Sequence, residues 1–192
     1  MLKNIVTVLY LITALTLQGC AVAIVGGAAA TASIAHDRRT TGVIVEDQGI
    51  ELKAHDLIAG DPQFKKQSSI HVTSYNMIVL LTGQTANETL RQRAEELVAG
   101  VEHVRRVVNE IEIGSTSSLG EISRDTTITS EVKIKLTGIN IEGFDPLRVK
   151  VVTERGTVFL LGLVTQKEGD AVTDVARYIS GVRRVVRVFE YI

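Results

Sequence analysis

Residues 79–83 read Val-Leu-Leu-Thr-Gly, and residues 158–162 read Val-Phe-Leu-Leu-Gly. Each stretch is a short apolar run that ends in glycine, which is typical of a buried strand, and the two lie 158 − 79 = 79 positions apart. Apolar residues spaced by four, as in a helix with one buried side, precede both stretches at an offset of 78. These residues are Ile50, Ala54 and Ile58 in the first copy and Ile128, Val132 and Leu136 in the second. The chain therefore contains one folding unit twice.

A further set of matches follows the apolar strand. Gly100-Val101 and Gly181-Val182 lie 81 positions apart, and we expect each glycine to take the left-handed conformation that ends a helix. On this alignment the last strand runs over residues 104–113 in the first copy and 185–192 in the second. Its matched apolar residues are Val104, Val107 and Ile111 in the first copy and Val185, Val188 and Ile192 in the second.

The same order of elements is predicted for both copies. After the first helix comes a strand, at residues 70–73 or 149–152, and then a tight turn at Asn76 or Gly156. The apolar strand, a second helix and the last strand follow. The fold class is therefore α+β, with two tandem αββαβ domains, each a small mixed three-stranded sheet covered by two helices.

Two details of this fold are specific enough to test. Capping boxes predict that the second helix starts after Thr85 in the first copy and after Thr165 in the second. The apolar strands at residues 78–81 and 158–161 are expected to be buried in the core of their own domain. Pairing of the two sheets with each other is the alternative use of these strands.

The amino-terminal segment carries a separate signal. Leu17-Gln18-Gly19-Cys20 contains the only cysteine of the chain and follows an apolar run over residues 5–17. This arrangement resembles a bacterial lipobox, which implies cleavage before Cys20, a diacylglycerol on its sulfur and acylation of the new amino group. Ala21 follows, where inner-membrane lipoproteins usually carry Asp, so the resemblance implies sorting to the outer membrane. The alternative is a chance cysteine behind an ordinary signal peptide.

Composition fits a folded domain pair rather than a nucleic-acid-binding or disulfide-rich protein. Removal of the leader leaves 192 − 19 = 173 residues, and the net charge of −1 argues against a nucleic-acid partner. The predicted segments are a signal peptide (1–19), lipidated cysteine with tether (20–45), first domain (46–114), linker (115–123) and second domain (124–192).

The αββαβ order, the strand ending in glycine and the Gly-Val-x-x-Val runs at 100–104 and 181–185 resemble the BON domain, as in OsmY-like proteins. Two such domains behind a lipobox are similar to the dual-BON outer-membrane lipoproteins of the DolP (YraP) family. The resemblance covers essentially the whole chain after the leader. It implies a lipid-anchored protein that faces the periplasm, supports envelope integrity, binds anionic phospholipids and gathers at division sites.

The first helix of the second copy is the candidate membrane-binding element. With Ile128, Val132 and Leu136 buried, Ile134 falls on roughly the opposite side, where an apolar side chain between two lysines could enter lipid headgroups. The candidate residues are Thr127, Ser130, Glu131, Lys133, Ile134 and Lys135. Family relatives place lipid contact on this helix with an aromatic near its start, a position that Thr127 occupies here. Residues 121–192 carry 11 basic and 10 acidic side chains, a net charge of +1, against 7 basic and 11 acidic, a net of −4, for residues 46–113.

Other functions are weighed against this one. The four histidines are scattered and form no HExxH motif, so the sequence predicts no metal, no enzyme and no cofactor beyond the lipid on Cys20. A periplasmic adaptor for envelope proteins, in envelope assembly or cell-wall hydrolase regulation, is the alternative function. Peptidoglycan attachment ranks last because the chain has no tryptophan to stack on sugars.

Overall fold

The structure is a computed structural model that describes residues 37–65 and 68–192. It has four α-helices within those ranges: α1 (Thr41–Gly60), α2 (Glu88–Ala99), α3 (Leu119–Leu136) and α4 (Gln166–Arg177). The strands are β1 (Ser68–Tyr75), β2 (Ile78–Thr85), β3 (Arg106–Asn109), β4 (Glu112–Ile113), β5 (Val149–Glu154), β6 (Thr157–Val164) and β7 (Arg184–Tyr191). Short 3₁₀ turns at Pro62–Phe64 and Pro146–Arg148 precede β1 and β5.

Both domains have the predicted helix-strand-strand-helix-strand order, which confirms the α+β class. In each sheet a central strand, β2 or β6, pairs antiparallel with the strand before it and parallel with the strand after the crossover helix. The first sheet differs from the prediction because its last strand is interrupted. Residues 110–111 separate β3 from β4, and both of these strands pair with β2 in the same register.

Gly83 and Gly162 must be glycine because neighbouring backbone approaches each of them closely. At Gly83, φ is +105°, and a Cβ atom would lie 1.9 Å from the Ser69 carbonyl oxygen. A Cβ atom at Gly162 would lie 2.9 Å from the Arg148 carbonyl oxygen. Ser69 and Arg148 are themselves 79 positions apart, so the repeat preserves the contact as well as the glycine.

The predicted alignment after the second helix is wrong by three residues. Gly100 has φ of −79°, and the left-handed position equivalent to Gly181 (φ 87°) is His103 (φ 68°), 78 positions earlier. Val101 then matches Ile179, and both are buried, so Val104 and Val107 match Val182 and Val185 rather than Val185 and Val188. The two copies share a glycine at positions 100 and 181, but these glycines differ in conformation. The left-handed position of the first copy is held by His103, and histidine is among the residues that tolerate positive φ.

The capping predictions have different outcomes in the two domains. Thr165 and Glu168 form the predicted capping box at the start of α4. Helix α2 instead has Asn87 as its N-cap, whose side chain accepts from the Leu90 N–H. Thr85 cannot cap α2 because it is the fully buried last residue of β2, where its hydroxyl donates to the Asn87 carbonyl oxygen.

Two helices begin earlier than the predicted domain boundaries. Helix α1 starts at Thr41, with Thr40 as N-cap, so residues 41–45 belong to the helix rather than to a tether. Helix α3 starts at Leu119, inside the predicted linker, with a capping box between Ser118 and Glu121. The Ser-x-x-Glu pattern at residues 118–121 predicts this helix start. The Ser- and Gly-rich composition around it favours a linker instead.

Three hydrophobic clusters hold the structure together. Each domain has its own core, in which the helices pack on one side of the sheet: Ile50, Ala54, Val79 and Leu81 in the first, and Ile128, Val132, Val158 and Leu160 in the second. The third cluster joins the domains. It contains Tyr75, Ile78 and Leu80 from the first sheet and Phe159, Leu161 and Val188 from the second.

The third cluster corrects the expectation that the apolar strands serve only their own cores. Successive side chains of a strand point to opposite sides of the sheet, so Val79 and Leu81 face the helices while Ile78 and Leu80 face the other domain. Continuous apolar runs are typical of strands that are covered on both sides. Residues 38–192 therefore form one compact unit in which helices, two sheets and helices follow one another in layers.

Polar contacts at the border of this interface repeat with the same offset as the fold. The Asn76 side chain donates to Glu190 at 2.7 Å, and Arg155 donates to Glu112 at 3.3 Å. Asn76 and Arg155 are equivalent turn residues, and Glu112 lies 78 positions before Glu190. The two domains thus pack through the same surface, in the manner of an isologous dimer.

Candidate membrane-binding surface

Helix α3 covers the outer side of the second sheet. Its buried residues are Asp125, Ile128, Val132 and Leu136, which confirms the predicted apolar stripe and adds a carboxylate to it. Asp125 accepts from the backbone N–H groups of Arg155 and Gly156 at 2.7 and 2.8 Å. This contact fixes the start of α3 over the turn between β5 and β6.

The predicted candidate residues all lie on the exposed part of α3. They are Thr127, Ser130, Glu131, Lys133, Ile134 and Lys135. Ile134 is 67% exposed, and neither flanking lysine forms an ion pair with any residue that the structure describes. A large apolar side chain in water between two uncompensated cations has the chemistry of a contact for anionic lipid.

The hydroxyl groups on this side of α3 are turned inward. Thr127 donates to the Ser123 carbonyl oxygen at 3.1 Å, and Ser130 donates to the Thr126 carbonyl oxygen at 2.9 Å. Because their donors are already used, these side chains would lose less hydration on approach to lipid than free hydroxyls would. The helix surface around Ile134 is consequently less polar than its composition indicates.

Sequence reasoning missed several exposed apolar residues of the second domain. Leu119 is 86% exposed and Ile122 is 51% exposed, both in the first turns of α3. Tyr178, directly after α4, is 76% exposed, and the Arg177 guanidinium lies 4.7 Å from its ring centre. Leu119 and Ile122 fall in residues 115–123, which the sequence predicts to be a linker. Tyr178 belongs to no apolar helical pattern in the sequence.

A buried ion pair joins the start of the folded unit to the second domain. Arg38 donates to the two carboxylate oxygens of Glu168 at 2.6 and 2.8 Å and to the Leu163 carbonyl oxygen at 2.9 Å. The Glu168 side chain is only 3% exposed. The Arg38 guanidinium, helped by the Thr165 hydrogen bonds, lowers the pKa of Glu168 to about 2.

Loss of the Arg38 guanidinium should make the free energy of unfolding depend less on pH in the acidic range. A carboxyl whose pKa is lowered by folding stabilises the fold above its ordinary value of 4.5, and this contribution disappears as the pH falls toward 2. We expect Arg38→Gln to lower the free energy of unfolding by about 2–3 kcal/mol at pH 7 and by much less at pH 2.5. Denaturant unfolding at both pH values measures the difference.

Lys53→Gln is the matched control, because the Lys53–Glu102 pair is exposed and spans 3.8 Å. Such a pair contributes about 0–1 kcal/mol. An equal loss for Arg38→Gln at pH 7 and pH 2.5 would contradict the role assigned to Glu168.

The histidines and carboxylates of the described residues were candidates for a metal site. Within residues 37–65 and 68–192, no three His, Cys, Asp or Glu side chains are grouped to hold a metal ion. His103 donates to Glu46 at 2.9 Å, which raises the pKa of this histidine, and His55 lies 3.6 Å from Asp56. His36 and the predicted lipidation site Cys20 lie outside the described residues.

The same ranges contain no helix with the length and hydropathy needed to span a bilayer. Helix α3 has 18 residues, but Lys133, Lys135 and several hydroxyl side chains lower its hydropathy.

Comparison with known proteins places this geometry in a family. The profile of the BON domain matches residues 46–115 and 124–192. The chain is 41% identical to "Outer membrane lipoprotein DolP" of Haemophilus influenzae over 92% of this chain and 90% of that protein. It is 38% identical to the "21 kDa hemolysin" of Actinobacillus pleuropneumoniae over 81% and 79% of the two chains.

A more distant relative has the same domain type. "Osmotically-inducible protein Y" of Escherichia coli K12 is 30% identical over 75% of this chain and 72% of its own length. Both domain matches fall on the two αββαβ units, and the DolP match extends over nearly the whole of both chains. The chain therefore belongs to the BON-domain family and, within it, to the outer-membrane lipoproteins that include DolP.

Proposed function

We propose that this protein is anchored through acyl chains on Cys20 to the outer membrane, faces the periplasm and supports envelope integrity by binding anionic phospholipids. The binding is non-enzymatic and uses the exposed part of α3. Acylation supplies the anchor, since two or more chains hold a protein stably on a bilayer. The second domain then contacts the headgroups of the membrane on which the protein is held.

The observation that carries this proposal is the exposure of Ile134 between Lys133 and Lys135. Ile134 is 67% exposed on a helix whose inner side is fully packed, so its side chain is not part of the core. Transfer of such a side chain to the headgroup region is favourable, and each nearby lysine adds about 1 kcal/mol against an anionic leaflet. The net charge of −4 for residues 46–113 opposes the same contact through the first domain.

Cosedimentation of the 38–192 fragment with vesicles tests the proposal. The fragment contains all three hydrophobic clusters and forms one compact unit, so it should fold without the anchor. We expect it to bind phosphatidylglycerol vesicles more strongly than phosphatidylcholine vesicles, and Ile134→Asp should weaken the binding to phosphatidylglycerol by roughly tenfold.

Leu52→Asp is the matched control, since Leu52 is 64% exposed on α1, the equivalent helix of the first domain. It introduces the same charge at a similar exposure and should leave binding unchanged. Equal effects of the two substitutions would contradict the assignment to α3. Absence of binding to either vesicle would leave the adaptor function as the better description of the protein.

A further inference from the structure

Arg38, the first residue of the compact unit, lies at one end of the second domain. Arg38 donates to the Leu163 carbonyl oxygen, near the end of β6, and to Glu168, in the first turn of α4. The contact is made by the second domain, although Arg38 is next in sequence to the first. Cys20 lies 38 − 20 = 18 positions upstream, which limits its distance from this end to about 60 Å.

Several elements start or finish at the same end. Val149, the first residue of β5, pairs with Gly162, and the Ile192 N–H donates to the Val164 carbonyl oxygen at 3.1 Å. Helix α3 begins at the opposite end, where Asp125 binds the turn between β5 and β6, and therefore finishes here. We name this end the strand-end rim and define it by three apolar residues and three lysines: Ile134, Leu147, Ile192, Lys133, Lys135 and Lys167.

The rim exposes large apolar side chains. Ile134 is 67% exposed, Leu147 is 62% exposed and Ile192 is 64% exposed. They come from α3, from the 3₁₀ turn before β5 and from the residue after β7, so only the fold places them at the same end of the domain. Scattered exposed apolar residues are ordinary, but a group at one end of a domain indicates an interaction surface.

The charges of the rim fit a negatively charged lipid surface. Exposed lysines at this end are Lys133, Lys135 and Lys167. The loop at residues 137–145 adds the carboxylates of Glu142 and Asp145, and the turn that follows adds the guanidinium of Arg148. Glu168 is buried and neutralised by Arg38, so the group has an excess of positive charge.

We propose that the strand-end rim is the part of the molecule that faces the membrane, with Leu147 and Ile192 entering the headgroups of anionic phospholipids beside Ile134. This inference rests on the proposed function and adds an orientation to it. Helix α3 then meets the membrane with its last turn, and the end of the domain that carries Tyr178 points away. Helix α4 runs back from the rim because it connects the parallel strands β6 and β7.

Tryptophan fluorescence tests the orientation directly, because the chain contains no tryptophan. The full lipidated chain is reconstituted in phosphatidylglycerol-containing vesicles with doxyl-labelled lipids as quenchers. The variants are Leu147→Trp and Ile192→Trp on the rim, Tyr178→Trp at the opposite end and Leu52→Trp on the first domain. All four positions are exposed, so none of the substitutions disturbs a core.

We expect blue-shifted and quenched emission for Leu147→Trp and Ile192→Trp, and unchanged emission for Tyr178→Trp and Leu52→Trp. Quenching of Tyr178→Trp without the rim variants would overturn the rim while leaving lipid binding by the second domain in place. Quenching of Leu52→Trp alone would overturn both proposals. Emission that is unchanged in all four variants would overturn the rim, and cosedimentation of the Ile134→Asp fragment would then decide the proposed function separately.

Discussion

Replacing Phe159 with alanine is expected to lower the free energy of unfolding by about 3–5 kcal/mol. Phe159 is 1% exposed and lies in the cluster that joins the two domains. Truncation opens a cavity between two sheets, each of which is held in place by its own core, so the sheets cannot move together to fill it. Urea or guanidinium unfolding of the 38–192 fragment measures the loss.

The same experiment reports whether the domains unfold as one unit. With the intact cluster we expect a single transition, and with Phe159→Ala we expect the two domains to separate into two transitions. Leu147→Ala is the control, because Leu147 is 62% exposed and its truncation should change stability by about 0.5 kcal/mol or less. Two transitions in the unsubstituted fragment would contradict the joint packing of the sheets.

Asp47→Ala is expected to cost about 3 kcal/mol or more. Asp47 is 3% exposed and accepts from the Asn76 and Met77 N–H groups at 2.8 and 2.7 Å. It also accepts from the Ser74 hydroxyl at 2.6 Å and from Arg39 at 2.7 Å. Asn76 and Met77 both have positive φ, a conformation that Asn tolerates but Met disfavours, so the carboxylate holds the turn against the preference of Met77.

Thermal or denaturant unfolding measures this loss, and amide hydrogen exchange locates it. Exchange should accelerate at Asn76 and Met77, whose N–H groups lose their acceptor. Asp56→Ala on the same helix is the control, since the Asp56 side chain is 71% exposed and its removal should cost less than about 0.5 kcal/mol. Similar losses for the two aspartates would contradict the role of Asp47.

The repeat itself could be predicted because it depends on periodicity and on glycine. Apolar residues four apart locate α1 and α3, and the strands that contain Gly83 and Gly162 are buried as expected, although each runs two residues past its glycine. The alignment is wrong after α2. The sequence has a glycine at positions 100 and 181, whereas the left-handed conformation occurs at His103 and Gly181. The sequence analysis also missed the equivalent buried aspartates of the two domains, Asp47 and Asp125. Each lies three residues before the first isoleucine of the apolar stripe on its helix.

The exposed part of α3 could be predicted for a similar reason. Helical geometry alone places Ile134 opposite Ile128 and Val132, and the structure exposes it. Contacts between distant segments were out of reach, because nothing local in the sequence pairs Arg38 with Glu168, which is 130 positions away. The joint packing of the sheets is only one of two interpretations of the apolar strands, since a run such as 158–161 does not reveal what covers its second side.

Amide NMR of the 38–192 fragment, with spin-labelled phosphatidylglycerol nanodiscs added, tests most directly whether the second domain carries lipid binding. Signal broadening should be confined to the second domain and should be strongest around Ile134, with α1 unaffected. Broadening on α1, or equal broadening of both domains, would contradict the assignment of the membrane contact to α3.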